Sequence, residues 1–351
     1  MIQKIRLQNI RCFKDRIFEF NKNINLIIGQ NGTGKTTILE AIGFFAFGSF
    51  VSSTPDLSAV SDGQEVGRIE IFSKQKDASV AISTGKRVTK IAKKVVKNSR
   101  LVGFKKAVLF NPQTVEITNA SPQIRRKEID IAIAQKDPAF VSVLLEYRKV
   151  LKNRNSLLKM ISRGQTGENV LEFWDEKLFE LSQHIYESRM AFIGYTNERI
   201  SPIYSKLSLR DGKSVLSYKP SCDYERYQEA LVNVREYDIT SGSTSIGPHR
   251  DDFSILFNTR DIKDHASRGE QRLAALALKL IQIDYLSENN HKPTLLLDDV
   301  FSELDRNRRE ALVSNIDFGE QVFISATDRA MIPVAFLGGS NLIDLNGGLV
   351  E

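Results

Sequence analysis

The chain is poor in cysteine. Cys12 and Cys222 are the only two among 351 residues, and they form neither a C-x-x-C pair nor any metal-ligand spacing. That excludes a disulfide framework and a Cys-based zinc site, and both thiols read as inert groups in a reducing compartment. Long apolar runs are missing too. The best stretch, Ile38 to Val51, is broken by Glu40 and falls short of the roughly 20 apolar residues that span a bilayer. The amino terminus, MIQKIRLQNIRCF, alternates polar and apolar residues like a strand and has no secretory apolar core. A cytoplasmic location is therefore expected. There is no internal repeat, no low-complexity tract and no sustained heptad pattern, which excludes a long coiled coil.

One further absence is local. Between Lys86 and Lys106 there is no acidic residue, but nine basic ones: Lys86, Arg87, Lys90, Lys93, Lys94, Lys97, Arg100, Lys105 and Lys106. The whole chain carries a formal net charge of +6, so without these nine it would be net acidic. A cationic stripe of this kind attracts a polyphosphate backbone, because each neutralised phosphate releases a counterion. The segment is predicted to bind DNA; a solvated hairpin face is the alternative.

What is present is ordinary for a globular chain: 41% hydrophobic and 26% charged residues. The length allows two domains, or one large domain with an insertion. In the first thirty residues apolar positions recur every second place (Ile5 and Leu7; Phe18 and Phe20; Ile24, Leu26 and Ile28), which predicts strands. A glycine-rich loop and an apolar helix follow, and short alternating runs from about Gly67 to Leu109 predict more strands. From NPQTVEITNASPQIRRKEID to about Tyr237 the apolar spacing becomes three or four, predicting helices. The turn SRGQTGEN should join two of these as an antiparallel pair. After TSGSTSIGPHRDDFSILFN the order strand, helix, strand, helix returns. The expected architecture is α/β. An α/β domain is split into residues 1–120 and 241–351, and a helical arm lobe (121–240) is inserted.

The loop GQNGTGKTT, Gly29 to Thr37, fits G-x-x-x-x-G-K-[ST] between an apolar strand, INLII, and a helix beginning near Lys35. Its glycines allow consecutive N–H groups to turn inward on phosphate oxygens at a helix N-terminus. Lys35 would reach the outer phosphates and Thr36 would ligate Mg²⁺. A strand-to-helix turn alone would not need a lysine followed by threonine. The second motif, PTLLLDDVFSELD, carries a buried strand, Thr294 to Leu297, that delivers Asp298 to the metal and Asp299 to the attacking water. Asp305, at its end, would cap a turn or cross toward a partner.

A third element is unexpected in a simple hydrolase. SRGEQ, Ser267 to Gln271, opens a helix running to about Leu286, with its positive end available to an anion. Ser267 with Glu270 three residues on is also a good capping box, and alone that would explain it. Its place just ahead of the second motif favours a phosphate contact made across a dimer interface.

Together with LQNIRCF, NPQTVEITNASPQIRRKEID and GPHRDD, these motifs resemble the ABC-type ATPase heads of SMC-like DNA-repair proteins, and within that group the RecF family of bacterial recombination mediators. The resemblance covers essentially the whole chain. It implies a slow, ATP- and Mg²⁺-dependent ATPase that dimerises on ATP, binds double-stranded, gapped or junction DNA, and acts with RecR and RecO to help RecA load. It further implies that Arg11, Gly29, Asn31, Gly32, Gly34, Lys35, Thr36 and Thr37 bind nucleotide. Thr36 and Asp298 would hold the metal, with Gln113 as a candidate metal contact. Asp299 would be the hydrolytic carboxylate, and Ser267, Arg268, Gly269 and Gln271 would act in trans. Arg125 and Arg126 match the family's paired arginines and are expected to serve interdomain or DNA contacts.

Some features depart from that pattern. Many ABC ATPases carry glutamate where Asp299 stands, and no histidine follows the last core strand in FISATDRA, where Thr327 or Asp328 could substitute. His249 reads either as a base or, preferably, as a structural residue. A transporter subunit would need a membrane partner and that missing histidine. A zinc-hook repair ATPase would need C-x-x-C and long arms. A small-molecule P-loop kinase has no use for SRGEQ, and an overcoming-lysogenization-type nuclease would need a further acidic metal domain.

Overall fold

The alternating spacing near the amino terminus forms three strands, β1 (Ile2–Ile10), β2 (Phe13–Glu19) and β3 (Ile24–Ile28). The chain then enters α1 (Lys35–Phe47) and four short strands, β4 (Val66–Ser73), β5 (Ala78–Ser83), β6 (Lys86–Ile91) and β7 (Lys94–Val96), before β8 (Ala107–Phe110). Helices α2 (Pro122–Lys136), α3 (Pro138–Ser162), α4 (Glu172–Asn197) and α5 (Ile200–Ser208) follow, then β9 (Ser214–Lys219), α6 (Tyr227–Asn233) and α7 (Arg235–Ser241). Last come β10 (Asp252–Phe257), β11 (Arg260–Asp261), α8 (Ile262–His265), α9 (Arg268–Leu286), β12 (Thr294–Asp298), β13 (Val322–Ala326) and β14 (Asn341–Asp344). The computed structural model describes residues 1–21, 23–51, 56–112, 116–289, 291–303, 309, 313 and 320–346.

The chain divides into two units, Met1–Glu116 with Ala275–Glu351, and Ile117–Ala274. The first holds two sheets. One is antiparallel, in the order β2-β1-β4-β5-β6-β7; the other is parallel, in the order β14-β3-β13-β12-β8. Helix α1 packs on β8, β12 and β13 and also meets β1. It is buried along nearly its whole length, Lys35 and Thr37 through Ala46. A helix covered on both sides reads apolar all round, and ILEAIGFFAF does so. Ile5, Leu7, Ile38, Ile42, Phe44, Phe45, Ile69, Ile71, Leu296 and Phe323 belong to one continuous core. The parallel strands INLII, TLLLD and VFISA are buried on both faces, as central strands of an α/β sheet are.

The second unit contains α2 to α7 and the sheet β11-β10-β9. Helices α3 and α4 pair across the SRGQTGEN turn as expected. The predicted all-helical stretch is interrupted, however. β9 lies within it and pairs antiparallel with β10, Leu216 opposite Ile255. Its sequence, SVLSYK, sets Val215 and Leu216 side by side, so no period-two spacing marks it as a strand within the flanking helical pattern. β14 is a further strand that the spacing does not announce; it joins the parallel sheet beside β3.

Candidate nucleotide-binding site

In the first unit the loop after β3 closes on itself before α1 begins. Gly32 and Gly34 have φ of +86° and +98°, which side chains rarely adopt. At Gly34 a Cβ would also lie 2.5 Å from the Phe13 ring and 2.8 Å from Cys12 Sγ. The Lys35 ammonium folds back over the loop, donating to the carbonyls of Gly29 (2.6 Å) and Gln30 (2.9 Å). The Gln30 N–H is in turn held by Asn346 Oδ1 at 2.9 Å. Asn31, Gly32 and Thr36 are exposed, while Gly29, Lys35 and Thr37 are buried. The lysine is thus poised over a loop whose rim faces solvent.

The second motif meets the first at the end of β12. The Thr36 hydroxyl donates to Asp298 Oδ1 at 3.2 Å, and the Ser325 hydroxyl donates to the same oxygen at 2.7 Å. Thr36 and Asp298 both offer hard oxygen donors of the kind that would hold Mg²⁺, directly or, for Asp298, through water. Burial raises the Asp298 carboxyl above its ordinary value; the Ser325 and Thr36 hydroxyls pull it down, and Glu40 and Asp299 push it up. A buried carboxylate with two acidic neighbours and two hydroxyl donors is a place where positive charge is favoured. Asp299 has φ of +52°, and its N–H donates to Ser325 Oγ at 3.0 Å. Ser325 therefore orients both aspartates. It is absent from the expected site residues, although a lone polar residue inside VFISA is its signal.

Arg11 also has positive φ, +48°. Its guanidinium pairs with buried Glu40 at 2.5 Å and lies 5.5 Å from the Phe50 ring centroid. Glu40 is one helical turn beyond Thr36, so the arginine is tied to the helix that leaves the loop. Gln113 and Asp305 lie outside the described residues. Thr327 is half-buried, its hydroxyl on Met331 Sδ at 3.6 Å, and Asp328 caps the short turn that follows through the Ala330 N–H.

The nine basic residues separate into two groups. Lys86, Lys90, Lys93, Lys94, Lys97 and Arg100 are exposed on or beside β6 and β7. The other three are committed internally. Arg87 pairs with Asp56 at 2.9 Å and donates to the Gly48 carbonyl. Lys106 pairs with Glu288 at 2.7 Å, and Lys105 lies against Phe104 with its ammonium pulled down by burial.

In the second unit, Ser267 and Arg268 are exposed at the start of α9. Gln271 is buried. Its amide donates to the carbonyls of Lys263 (2.9 Å) and Ala266 (3.1 Å), and its oxygen accepts from Asn119 at 2.5 Å. This glutamine fixes the loop that carries Ser267 and the Gly269 backbone.

The GPHRDD segment builds the unit's polar core. Asp251, fully buried, accepts from the Tyr218 and Tyr224 hydroxyls and from the Ser221 N–H. Arg189 makes a bidentate pair with Asp130, both bonds 2.9 Å. Arg125 forks onto Asp252 (2.8 and 2.6 Å), and Arg126 donates to the Asp251 carbonyl. The paired arginines thus have partners inside this unit.

His249 donates from Nε2 to the Thr244 carbonyl at 3.0 Å, which leaves Nδ1 to accept from the Tyr147 hydroxyl at 2.6 Å. Burial pushes its pKa down to about 4, so the ring is neutral at pH 7. The unfolded chain, with a pKa near 6.5, binds this proton more readily; the stability held above pH 6.5 is lost as pH falls toward 4, by at most about 3 kcal/mol. Thermal unfolding across that range should therefore show the melting-temperature gap between wild type and His249→Gln narrowing on acidification. A constant gap would overturn the assignment.

Known proteins resemble this chain along nearly its whole length. Residues 1–343 match the family described as RecF/RecN/SMC N terminal domain. The DNA replication and repair protein RecF of Acetivibrio thermocellus is 36% identical over 99% of this chain and 98% of its own. Its namesake from Bacillus cytotoxicus is 32% identical over 100% and 98%. Among solved structures, that of the recombination mediator protein RecF-ATP in the RecFOR pathway superposes with a TM-score of 0.87 at 31% identity, covering 95% of this chain and 93% of that one. The SmcHead bound to the C-winged helix domain of ScpA shares the fold, with a TM-score of 0.53 at 15% identity and coverage of 94% and 90%.

Proposed function

The chain belongs to the RecF family, and on that premise we propose that it is a slow ATPase of recombinational DNA repair. In this reading it closes as a dimer on ATP and gapped or junction DNA, and in the cytoplasm it works with RecR and RecO to assist RecA loading. The observation that carries this reading is the meeting of Thr36 and Asp298, 262 positions apart, at 3.2 Å beside the Lys35 loop. The relatives named RecF and the RecF-ATP structure support it.

In the proposed mechanism, residues 1–120 and 241–351 act together as the ATPase head, and residues 121–240 act as the arm. Lys35 turns its ammonium from the carbonyls of Gly29 and Gln30 to the outer phosphates, while the N–H groups of the Gly29–Thr37 loop hold the inner ones. The Thr36 hydroxyl and the Asp298 carboxylate would hold Mg²⁺, which when bound neutralises charge on the phosphates. Asp299, set by Ser325, orients or deprotonates the attacking water. Arg11 stiffens the loop helix through Glu40. From a second copy, the Ser267 hydroxyl and the Gly269 N–H complete the phosphate shell, and Gln271 keeps their loop in place.

For DNA, the proposal rests on the six exposed cations of the β6–β7 region and not on Arg87, Lys105 or Lys106, which have internal partners. Lys90, Lys93 and Lys94 changed together to Glu should weaken binding of a gapped duplex in the presence of ATP and Mg²⁺ and make its salt dependence shallower by about three phosphate contacts. Fluorescence anisotropy across a salt series reads both. Unchanged affinity and slope would remove this surface from the mechanism.

A further inference from the structure

The N-terminus of α9 already holds an anion of its own. The Ser267 N–H and the Ser267 hydroxyl both donate to Glu270 Oε2, each at 2.8 Å, and the Glu270 N–H returns to Ser267 Oγ at 3.3 Å. The other carboxylate oxygen, Oε1, is held by Arg210, from the connection between α5 and β9. The glutamate side chain is 18% exposed and the arginine 62%. The Ser267 bonds, backbone first, also hold the Glu270 carboxyl below its ordinary range, as expected of an ionised group at a helix start.

We propose that Glu270 is a gate on Ser267, and that Arg210 is the counter-charge that sets how much ATP is needed to open it. The inference rests on the reading that Ser267 meets a nucleotide bound to a second copy. Under that reading, the carboxylate occupies the Ser267 hydroxyl that the terminal phosphate requires. Two anions cannot share that one hydroxyl at about 3 Å without strong repulsion, so engagement moves Glu270 off the Ser267 hydroxyl. Arg210 holds Oε1, the oxygen not bonded to Ser267, so it can keep the carboxylate paired after Oε2 lets go. It also lowers the charge that an incoming phosphate meets. Arg210 is a positioning residue in this scheme, acting only through Glu270. Gln271, anchored on the carbonyls of Lys263 and Ala266, keeps the loop in place while the gate moves.

The test is an ATP titration of solution mass by light scattering, with Mg²⁺ and a gapped duplex present throughout, on the full chain. In Glu270→Gln the amide oxygen still accepts from the Ser267 N–H, so the helix start survives and only the charge is lost. Half-maximal dimerisation should then need about fivefold less ATP. Arg210→Ala should need about fivefold more, because the carboxylate loses its counter-charge. Arg210→Lys should restore most of the difference. The decisive variant is the double one, Arg210→Ala with Glu270→Gln, which should behave like Glu270→Gln alone. A purely structural pair predicts instead that both single changes weaken dimerisation, and that result would overturn the gate. So would an effect of Arg210→Ala that persists without the carboxylate. If wild type and Glu270→Gln both stay monomeric at saturating ATP, the in-trans reading fails and takes the gate with it. If wild type dimerises and the two single variants match it, only the gate is lost.

Discussion

Lys35→Met is expected to weaken ATP binding by about 30-fold or more while leaving the fold intact. The ammonium is the one full positive charge built into the loop, and its loss leaves the outer phosphates with backbone donors alone. Removing one partner of a desolvated, hydrogen-bonded charge pair costs about 2–5 kcal/mol, and each 1.4 kcal/mol is tenfold in affinity. Methionine matches the lysine stem, so packing around the buried position is preserved. The carbonyls of Gly29 and Gln30 lose a donor; Gln30 is exposed and can turn to water instead. Isothermal titration with ATP and Mg²⁺, run beside a thermal melt, separates the two effects. A variant that melts like wild type but binds ATP within about threefold of it would contradict the assigned role, because even the smallest of these costs corresponds to about 30-fold.

The loop motif was legible because everything it needs is local. Strand, glycines, lysine and helix follow one another within Ile24–Phe47, so spacing alone implies geometry. What escaped the sequence is what arrives from far along the chain. Ser325, which touches both aspartates, lies 27 positions from Asp298 and looks like one polar residue in an apolar strand. Glu40 registered only as a break in an apolar run, yet it is the buried partner of Arg11. Arg210, in an exposed connection, gives no hint of its pairing with Glu270, 60 positions later. β9 shows the same limit, because its partner β10 lies more than thirty residues on and its own six residues, with Val215 and Leu216 adjacent, carry no period-two signal.

The backbone also explains a residue choice that the sequence only displays. Asp299 follows the last residue of β12 with φ of +52°, a conformation that Asp and Asn adopt several-fold more readily than other side chains with a Cβ. Glutamate, the residue many ABC ATPases carry there, would be strained at this bend. The shorter carboxylate thus comes with the left-handed turn, and the turn itself is pinned by the N–H bond to Ser325.

Asparagine fits the same backbone, which makes Asp299→Asn a clean removal of charge. Its hydrolysis rate should fall by about 100-fold or more, the range for losing a general base, while ATP binding persists. Closure outlives the hydrolysis that would reverse it, so with ATP and Mg²⁺ the variant should run at twice the 39.6 kDa chain mass by light scattering, and at the chain mass without ATP. Ser267→Arg, combined with Asp299→Asn, should bind ATP within about threefold of the single Asp299→Asn variant, since the proposed mechanism makes that bond in trans and not within the monomer. It should nevertheless stay at the mass of one chain, because a guanidinium cannot fit where a hydroxyl meets the partner's phosphate. Loss of ATP binding in this double variant would place Ser267 beside the nucleotide of its own chain. A monomeric Asp299→Asn that binds ATP, even with gapped duplex added, would leave SRGEQ as a helix cap alone, with Glu270 closing it for stability.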